Sequence, residues 1–374
     1  MSVVNYWDRI YGHKNNKNIV DQLLTSSVLP HAFIFIGKEG IGKDFFALQL
    51  AKQINSKFTS LDNISHVING INQLSEPFIK FIYPLPRGKN ETDETGPFEK
   101  LNTDELEEIK SEINKKIDNP YHQIHLNKAN TIKISSIRDI NKFLSMQFDE
   151  SFYRFILISD AHLMNETSQN ALLKNLEEPP TKVIFILTTP YPDLLRETIR
   201  SRCWNLYFNP LTFEEVSKIL VDYFKIDEIL AKEVAIFSNG SVSTAIQLLE
   251  NDFTKLKEET IIFLRYALGR KFHSAYIILN EFIKDGNIEG LKLLIQMIII
   301  WLNDLQKLKS NRTDFYFSDH PETLEKFNKK FPKSDVKAIS FKLDYLKSLI
   351  INNVHPNLLA ANIVYTISEL SKSN

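Results

Sequence analysis

Residues 37–44 read Gly-Lys-Glu-Gly-Ile-Gly-Lys-Asp. The apolar run His31–Gly37 (HAFIFIG) leads into them, and Phe45–Ile54 follows with apolar residues at helical spacing. A short apolar run ending on glycine is a buried strand that feeds a tight loop. Strand, loop and helix therefore stand in the order that a phosphate loop requires. Gly37, Gly42 and Lys43 fit the pattern G-x-x-x-x-G-K, in which backbone N–H groups and a lysine cradle phosphates. With 11 glycines in 374 residues, composition alone gives about 0.03 such matches per chain. The pattern breaks at its last position. A working loop ends in Ser or Thr, whose hydroxyl binds Mg²⁺; this one ends in Asp44.

The α/β rhythm resumes beyond the loop. Ile19–Leu29 reads as a helix stopped near Pro30, and Ser135–Met146 as a helix with a Ser cap. Arg154–Ser159 (RFILIS) and Lys182–Thr189 (KVIFILTT) read as buried strands, and Trp204–Phe208 as a last strand. Helices at Ser168–Leu176 and within Pro190–Arg200 separate them. Strands alternating with helices predict a three-layer α/β domain on a parallel sheet over residues 1–210. Residues 56–130 show weak periodicity. Pro84–Pro97 is turn-rich and polar, which predicts a mobile loop. Arg87–Asp118 holds ten acidic and six basic residues, a local net of −4, and Asn102–Ile117 reads as a charged surface helix capped by Asn102 or Thr103. After Pro210 the strand signals fade. Phe213–Phe224, Glu228–Phe237 and Val242–Glu250 predict a small helical domain over residues 211–252. Residues 253–374, with long amphipathic stretches at Leu291–Leu308 and Val336–Leu349, predict a helical bundle.

Composition narrows the function classes. A formal net charge of −1 carries no overall basic field for nucleic acid. Cys203 is the only cysteine, so a disulfide framework and a four-cysteine zinc site within the chain are both excluded. The nine histidines form no H-x₃-H or HExxH pattern, so no metal site is expected. The closest approach to a membrane-spanning stretch, Ile295–Leu302 (IQMIIIWL), is too short, and the N-terminus lacks a signal-like apolar region. A cytoplasmic protein is expected. Cys203, Met146, Met164 and Met297 read as packing residues, and the 26 phenylalanines as core and interface rather than base-stacking groups.

A phosphate-loop ATPase takes a metal-binding Asp from the end of a second strand, often followed by a Glu that polarises water. At the end of Phe155–Ile158 the metal position is Ser159 and the Glu position is Asp160. Asp160 could slide into the metal role, or merely cap the next segment. Thr188 and Thr189 end another strand, and threonines are simply good strand residues.

The segment Ile158–Pro180 (ISDAHLMNETSQNALLKNLEEPP), then Phe185–Pro190 (FILTTP) and Ile199–Cys203 (IRSRC), closely resembles bacterial clamp-loader subunits of the AAA+ superfamily. Asn170–Lys174 with Leu176–Pro179, and Ser201-Arg202-Cys203, are the most specific pieces. The motifs span about 60 residues, and the domain order agrees along the whole chain. The resemblance implies an AAA+ phosphate-loop domain, a helical lid and a C-terminal helical collar that oligomerises. It implies that Arg202 is an arginine finger, reaching the γ-phosphate of ATP held by a neighbouring subunit. A guanidinium is permanently charged and grips phosphate in a fork, which suits that task. It places Thr188 and Thr189 at the strand end where a small polar side chain touches the γ-phosphate or the attacking water, and Ser243 where active subunits carry a nucleotide-contacting arginine. It also implies a four-cysteine zinc module where residues 56–130 stand, and one cysteine cannot supply it.

Asp44, Ser159, Asp160 and Ser243 thus all depart from the hydrolysing pattern, while Arg202 is kept. Within the family, those departures match delta-prime-type subunits rather than the gamma/tau type. The expectation is a non-hydrolysing subunit of the DNA polymerase III holoenzyme. Its implied partners are gamma/tau and delta subunits, with the β sliding clamp and primer-template DNA reached through the assembled ring. Gly37, Gly40, Gly42, Lys43 and Asp44 form a vestigial loop, with Asp160 and Thr188 beside it. Lys43 and the loop amides could still hold ATP or ADP, but Glu39 and Asp44 add repulsion, so no cofactor is required. The alternatives are an ATP-hydrolysing gamma/tau-type subunit and a AAA+ DNA-repair ATPase.

Overall fold

The computed structural model describes residues 5–26, 29–58, 61–146, 151–284, 288–350 and 355–371. Five strands pair in one sheet: β1 (Ala32–Ile36), β2 (Ile79–Ile82), β3 (Arg154–Ile158), β4 (Val183–Thr189) and β5 (Trp204–Tyr207). Their order is β2-β3-β4-β1-β5, and every pairing is parallel. β1 registers Ala32 on Phe185 and Phe33 on Trp204, so the strand that feeds the loop is flanked on both sides. Its unbroken apolar run is the mark of a strand buried on both faces.

Helices cover those two faces, because parallel strands need crossover connections. On one face Ala32, Ile34, Ile156, Ile158, Phe185 and Leu187 join Ile137, Ile140 and Phe143 of α5 (Ile134–Ser145) and Leu172 and Leu176 of α6 (Glu166–Glu177) in one core. On the other face α2 (Lys43–Phe58) sets Phe46 edge-on to Phe35 and Phe208, with ring centroids 5.6 and 5.0 Å apart, and stacks it on Trp7 at 4.9 Å. Each fully buried Phe or Ile contributes about 1.5–3 kcal/mol, so these two layers fix the sheet that carries the loop. The remaining early helices are α1 (Lys14–Ser26), α3 (Leu61–Asn72), α4 (Thr103–Asp118), α7 (Glu197–Arg200) and α8 (Phe213–Phe224).

The sequence boundaries hold for most elements and shift at three places. α1 begins at Lys14, five residues before the expected start, and residues 27 and 28 of that expectation lie outside the described residues. α5 starts after Lys133 with no side-chain cap, so no Ser caps it; the Oγ atoms of Ser135 and Ser136 are buried and make no hydrogen bond. Residues 61–82 belong to the sheet and its cover: α3 packs on α2, and β2 pairs with β3. The true excursion begins at Tyr83. Pro84–Pro97 is irregular, as expected, but it is tied down. Glu91 pairs with Lys133 at 2.7 Å, both side chains no more than 5% exposed, and Lys133 Nζ also donates to Pro97 O. α4 has Asn102 as its cap, in a reciprocal capping box with Glu105.

By internal contacts the chain divides into Met1–Ala231 with Asn239–Ser243, and Lys232–Ser238 with Thr244–Asn374. α9 (Glu228–Phe237) and α10 (Val242–Glu250) run through both divisions. The second unit is helical, with α11 (Phe253–Leu268), α12 (Phe272–Lys284), α13 (Ile288–Lys309), α14 (Pro321–Lys330), α15 (Val336–Leu349) and α16 (Pro356–Glu369). α13 is its axis: Trp301 is fully buried there, and Asp304 accepts from the amides of Tyr316 and Phe317 at 2.9 and 2.8 Å. Among the described residues no helix is long and apolar enough to cross a membrane.

Candidate nucleotide site and surface arginine

The loop leaves β1 at Gly37 and enters α2 at Lys43. Gly40 and Gly42 hold φ of +70° and +88°, a left-handed backbone that glycine adopts without steric cost. Both are also crowded. A Cβ at Gly40 would lie 2.0 Å from Ser243 Oγ, and one at Gly42 would lie 2.8 Å from Tyr121 Cε1. The amide of Val242 donates to Gly40 O at 2.8 Å. Ser243, at the position where active relatives are expected to carry an arginine, thus lies against the loop as a short neutral side chain.

Lys43 is turned onto the loop itself. Its Nζ donates to Gly37 O at 2.8 Å and Lys38 O at 2.6 Å. Burial pulls its pKa below the usual lysine value, and Asp44, Asp160 and Glu39 act against that pull.

Asp44 and Ser159 look like two independent losses in the sequence. In the fold they are reciprocal. The hydroxyl expected on the loop stands at the end of β3, and the carboxylate expected at the end of β3 stands on the loop. Ser159 Oγ donates to Asp44 Oδ2 at 2.9 Å across 115 residues of sequence. Thr188 Oγ1, at the end of β4, donates to Asp44 Oδ1 at 3.0 Å. Lys116 Nζ from α4 lies 3.3 Å from Asp44 Oδ2 and donates to His122 O at 2.7 Å. Burial pushes the Asp44 pKa up, but Lys116, Ser159, Lys43 and Thr188 together outweigh it, so the group is held below its usual value. Asp44 is therefore a carboxylate with both oxygens engaged.

Asp160 follows in the left-handed region, φ +52°, and its amide points at Thr188 Oγ1 at 3.4 Å. Burial, then Asp44 and Glu39, push its carboxyl up to about 7. It does not cap the next turn with its side chain. His162 packs edge-on against Tyr191, ring centroids 5.2 Å apart, and burial followed by Lys43 lowers its pKa to about 4. Thr189 donates no hydroxyl into the site; its Oγ1 accepts from the Tyr191 amide at 3.0 Å.

Sequence reasoning missed Lys116 and Tyr121. Lys116 lies on a strongly charged helix, which reads as a solvated face. The signal was its spacing: Ile109, Ile113 and Lys116 fall on one stripe of α4, with Glu112 beside them. Ile109, Glu112 and Lys116 are all buried. Glu112 orders the following loop by accepting from His122 Nε2 at 2.8 Å and from the His125 amide at 3.1 Å. That brings Tyr121 beneath Gly42 and edge-on to Phe45, centroids 5.2 Å apart. The cavity among Gly42, Asp44, Lys116, Tyr121, Asp160 and Thr188 is about 40 Å³, room for roughly three waters.

Arg202 lies outside this cluster, on the turn between α7 and β5. Its side chain is 35% exposed, with Nη2 2.9 Å from Glu177 Oε1 at the end of α6 and Nη1 donating to Thr198 O at 2.8 Å. Cys203 packs against the core beside it, and burial pushes its thiol up to about 12. Among the described residues no group of His, Cys, Asp and Glu side chains converges as a metal site.

The fold and this site define a phosphate-loop α/β protein whose hydroxyl and carboxylate have changed places. Residues 12–212, more than half of the chain, match the family described as DNA polymerase III, delta subunit. The chain belongs to that family of clamp-loader subunits. The DNA polymerase III gamma subunit of Buchnera aphidicola subsp. Schizaphis graminum is 26% identical over 324 residues, covering 81% of this chain and 77% of that protein. The delta' subunit of Bacillus subtilis is 28% identical over 207 residues, covering 54% of this chain and 62% of its own length. A gamma subunit-related protein from Thermotoga maritima superposes with a TM-score of 0.44 at 16% identity, covering 94% of this chain and 99% of that one.

Proposed function

We propose that this chain is the non-hydrolysing, delta-prime-type member of a DNA polymerase III clamp loader. In this reading it binds gamma/tau and delta subunits in a ring, which places the β sliding clamp on primer-template DNA. Its second, helical unit is the collar, and Arg202 serves the ATP held by a neighbour. The observation that carries the reading is the occupation of Asp44. A hydrolysing loop offers a free hydroxyl to Mg²⁺ and leaves a strand-end carboxylate to hold the ion. Here the carboxylate sits on the loop and accepts from Ser159, Thr188 and Lys116. ATP or ADP is no requirement of this role.

Arg202 supports the same reading from outside the site. It is partly exposed, and its charged partner among the described residues is the half-exposed Glu177. An exposed pair of this kind holds its partners by no more than about 1 kcal/mol, so the guanidinium is free to turn to a phosphate in another subunit.

The rival is an ATP-hydrolysing gamma/tau-type subunit. It is favoured by the Buchnera gamma subunit, whose similarity runs over 81% of this chain. The two readings part on the isolated protein. The delta-prime reading expects no ATP hydrolysis above background by the chain alone, with or without primed DNA, and co-elution with a gamma-type partner on gel filtration. Turnover that depends on Lys43 would favour the rival.

A further inference from the structure

The excursion between β2 and β3 does more than decorate the sheet. α4 and the loop after it lay one cation and one aromatic ring on the phosphate loop. Lys116 is 4% exposed and reaches Asp44 Oδ2 at 3.3 Å, beside Ser159 Oγ. In a phosphate-loop ATPase those two positions are the protein's contacts to the divalent ion. We propose that Lys116 is a built-in replacement for that ion: its ammonium occupies the cation position at Asp44 and Ser159 and closes the loop on itself. The inference stands whether or not the chain sits in a ring.

The residues present do not fit a magnesium nucleotide while Lys116 is in place. Asp44 has one oxygen filled by Thr188 and the other shared by Ser159 and Lys116. A divalent ion there would meet the ammonium groups of both Lys116 and Lys43, with one firmly ionised carboxylate between them. Lys43 is already spent on Gly37 O and Lys38 O. Tyr121 closes the cavity beneath Gly42. The anchoring is redundant: Lys116 also donates to His122 O, His122 is held by Glu112, and the start of the excursion is pinned by the buried Glu91–Lys133 pair. A tethered cation also costs less to position than a free one, since its translational entropy is already lost in folding.

The consequence is a latent metal site that Lys116 masks. Removing Lys116 leaves buried Asp44 without the cation paired to its Oδ2, only the Lys43 charge remaining nearby, and the site regains an appetite for a divalent ion from solution. The test uses the full chain and Mn²⁺, followed by electron paramagnetic resonance, with thermal unfolding in parallel. The native chain should bind no Mn²⁺ at this site, and its unfolding midpoint should be the same in EDTA and in millimolar Mn²⁺. Lys116→Ala should unfold on the order of 10 °C lower in EDTA, the scale for breaking a buried pair. Mn²⁺ should restore several degrees of that loss and give a bound signal, and both effects should vanish in Lys116→Ala/Asp44→Asn. Lys116→Met/Asp44→Asn removes both charges at near-constant shape, and it should fold within a few degrees of the native chain even if Lys116→Ala does not fold. Mn²⁺ bound by the native chain in a manner lost with Asp44→Asn overturns the proposal. So does a folded Lys116→Ala that ignores Mn²⁺, or a Met/Asn double variant as damaged as the sum of its single changes.

Discussion

Asp160→Asn should make this protein more stable at neutral pH, by an amount that grows with pH. The carboxyl ordinarily titrates near 3.8, and burial with the charges of Asp44 and Glu39 lifts it to about 7 in the fold. Below about pH 4 the group is protonated whether the chain is folded or not, and ionisation costs nothing. Between about pH 4 and pH 7 the unfolded chain releases the proton while the folded chain keeps it, so native stability falls as pH rises. Above about pH 7 both states are ionised and the full penalty is present. The interval is about three tenfold steps in proton affinity, on the order of 4 kcal/mol at 1.36 kcal/mol per step. Asparagine keeps the shape and carries no charge, so the variant lacks this slope. Urea unfolding between about pH 4.5 and pH 8.5, read by hydrogen exchange at β3 and β4 amides to isolate the α/β unit, should show the gap between variant and native widening by a few kcal/mol. A gap that stays constant within about 0.5 kcal/mol would refute the assigned environment of Asp160.

Further outcomes follow from other contacts. Lys133→Met leaves Glu91 buried against the Gly88 amide alone and should lower stability by about 3–5 kcal/mol; protease cleavage within Pro84–Pro97 should rise with it. Cys203, with its thiol pushed up to about 12, should resist iodoacetamide at pH 8 in the native chain and react promptly in urea, as mass spectrometry would record. Glu177→Ala releases Arg202 from an exposed pair and should change unfolding free energy by under about 1 kcal/mol. ATP turnover of a reconstituted loader carrying that variant should stay at or above the native rate, because the finger loses only its resting partner.

Much of the α/β architecture was legible because the strands are buried on both faces. β1, β3 and β4 read as continuous apolar runs, and the glycines between β1 and α2 announced the loop. Amphipathic helices were equally plain: Phe213–Phe224 and Val336–Leu349 keep their expected bounds, and in the fold Thr212 with Glu215 caps α8 and Asp335 caps α15. β2 was not legible. It is four residues long, lies at the sheet edge and carries Lys80, so its hydrophobic signal is faint. α3 precedes it with Ile64, Val67, Ile68 and Ile71 at helical spacing, but the stripe is short and Gly70 interrupts its last turn, so the stretch read as irregular. At the site, sequence gave identities without partners. Asp44 and Ser159 each depart from the family pattern, yet their exchange appears only once β3 is set beside the loop. Lys116 lies 72 residues from Asp44, and its role depends on how α4 folds back.

The most direct measurement of the central claim is ATP turnover in a loader reconstituted with gamma/tau and delta partners, in which this chain carries Arg202→Ala. The ring should assemble normally, since Arg202 contributes little to the fold. Hydrolysis at the neighbouring ATP site should fall by about a thousandfold or more in the presence of clamp and primed DNA, the scale of a lost arginine finger. An intact ring that hydrolyses ATP at that site at the native rate would contradict the account.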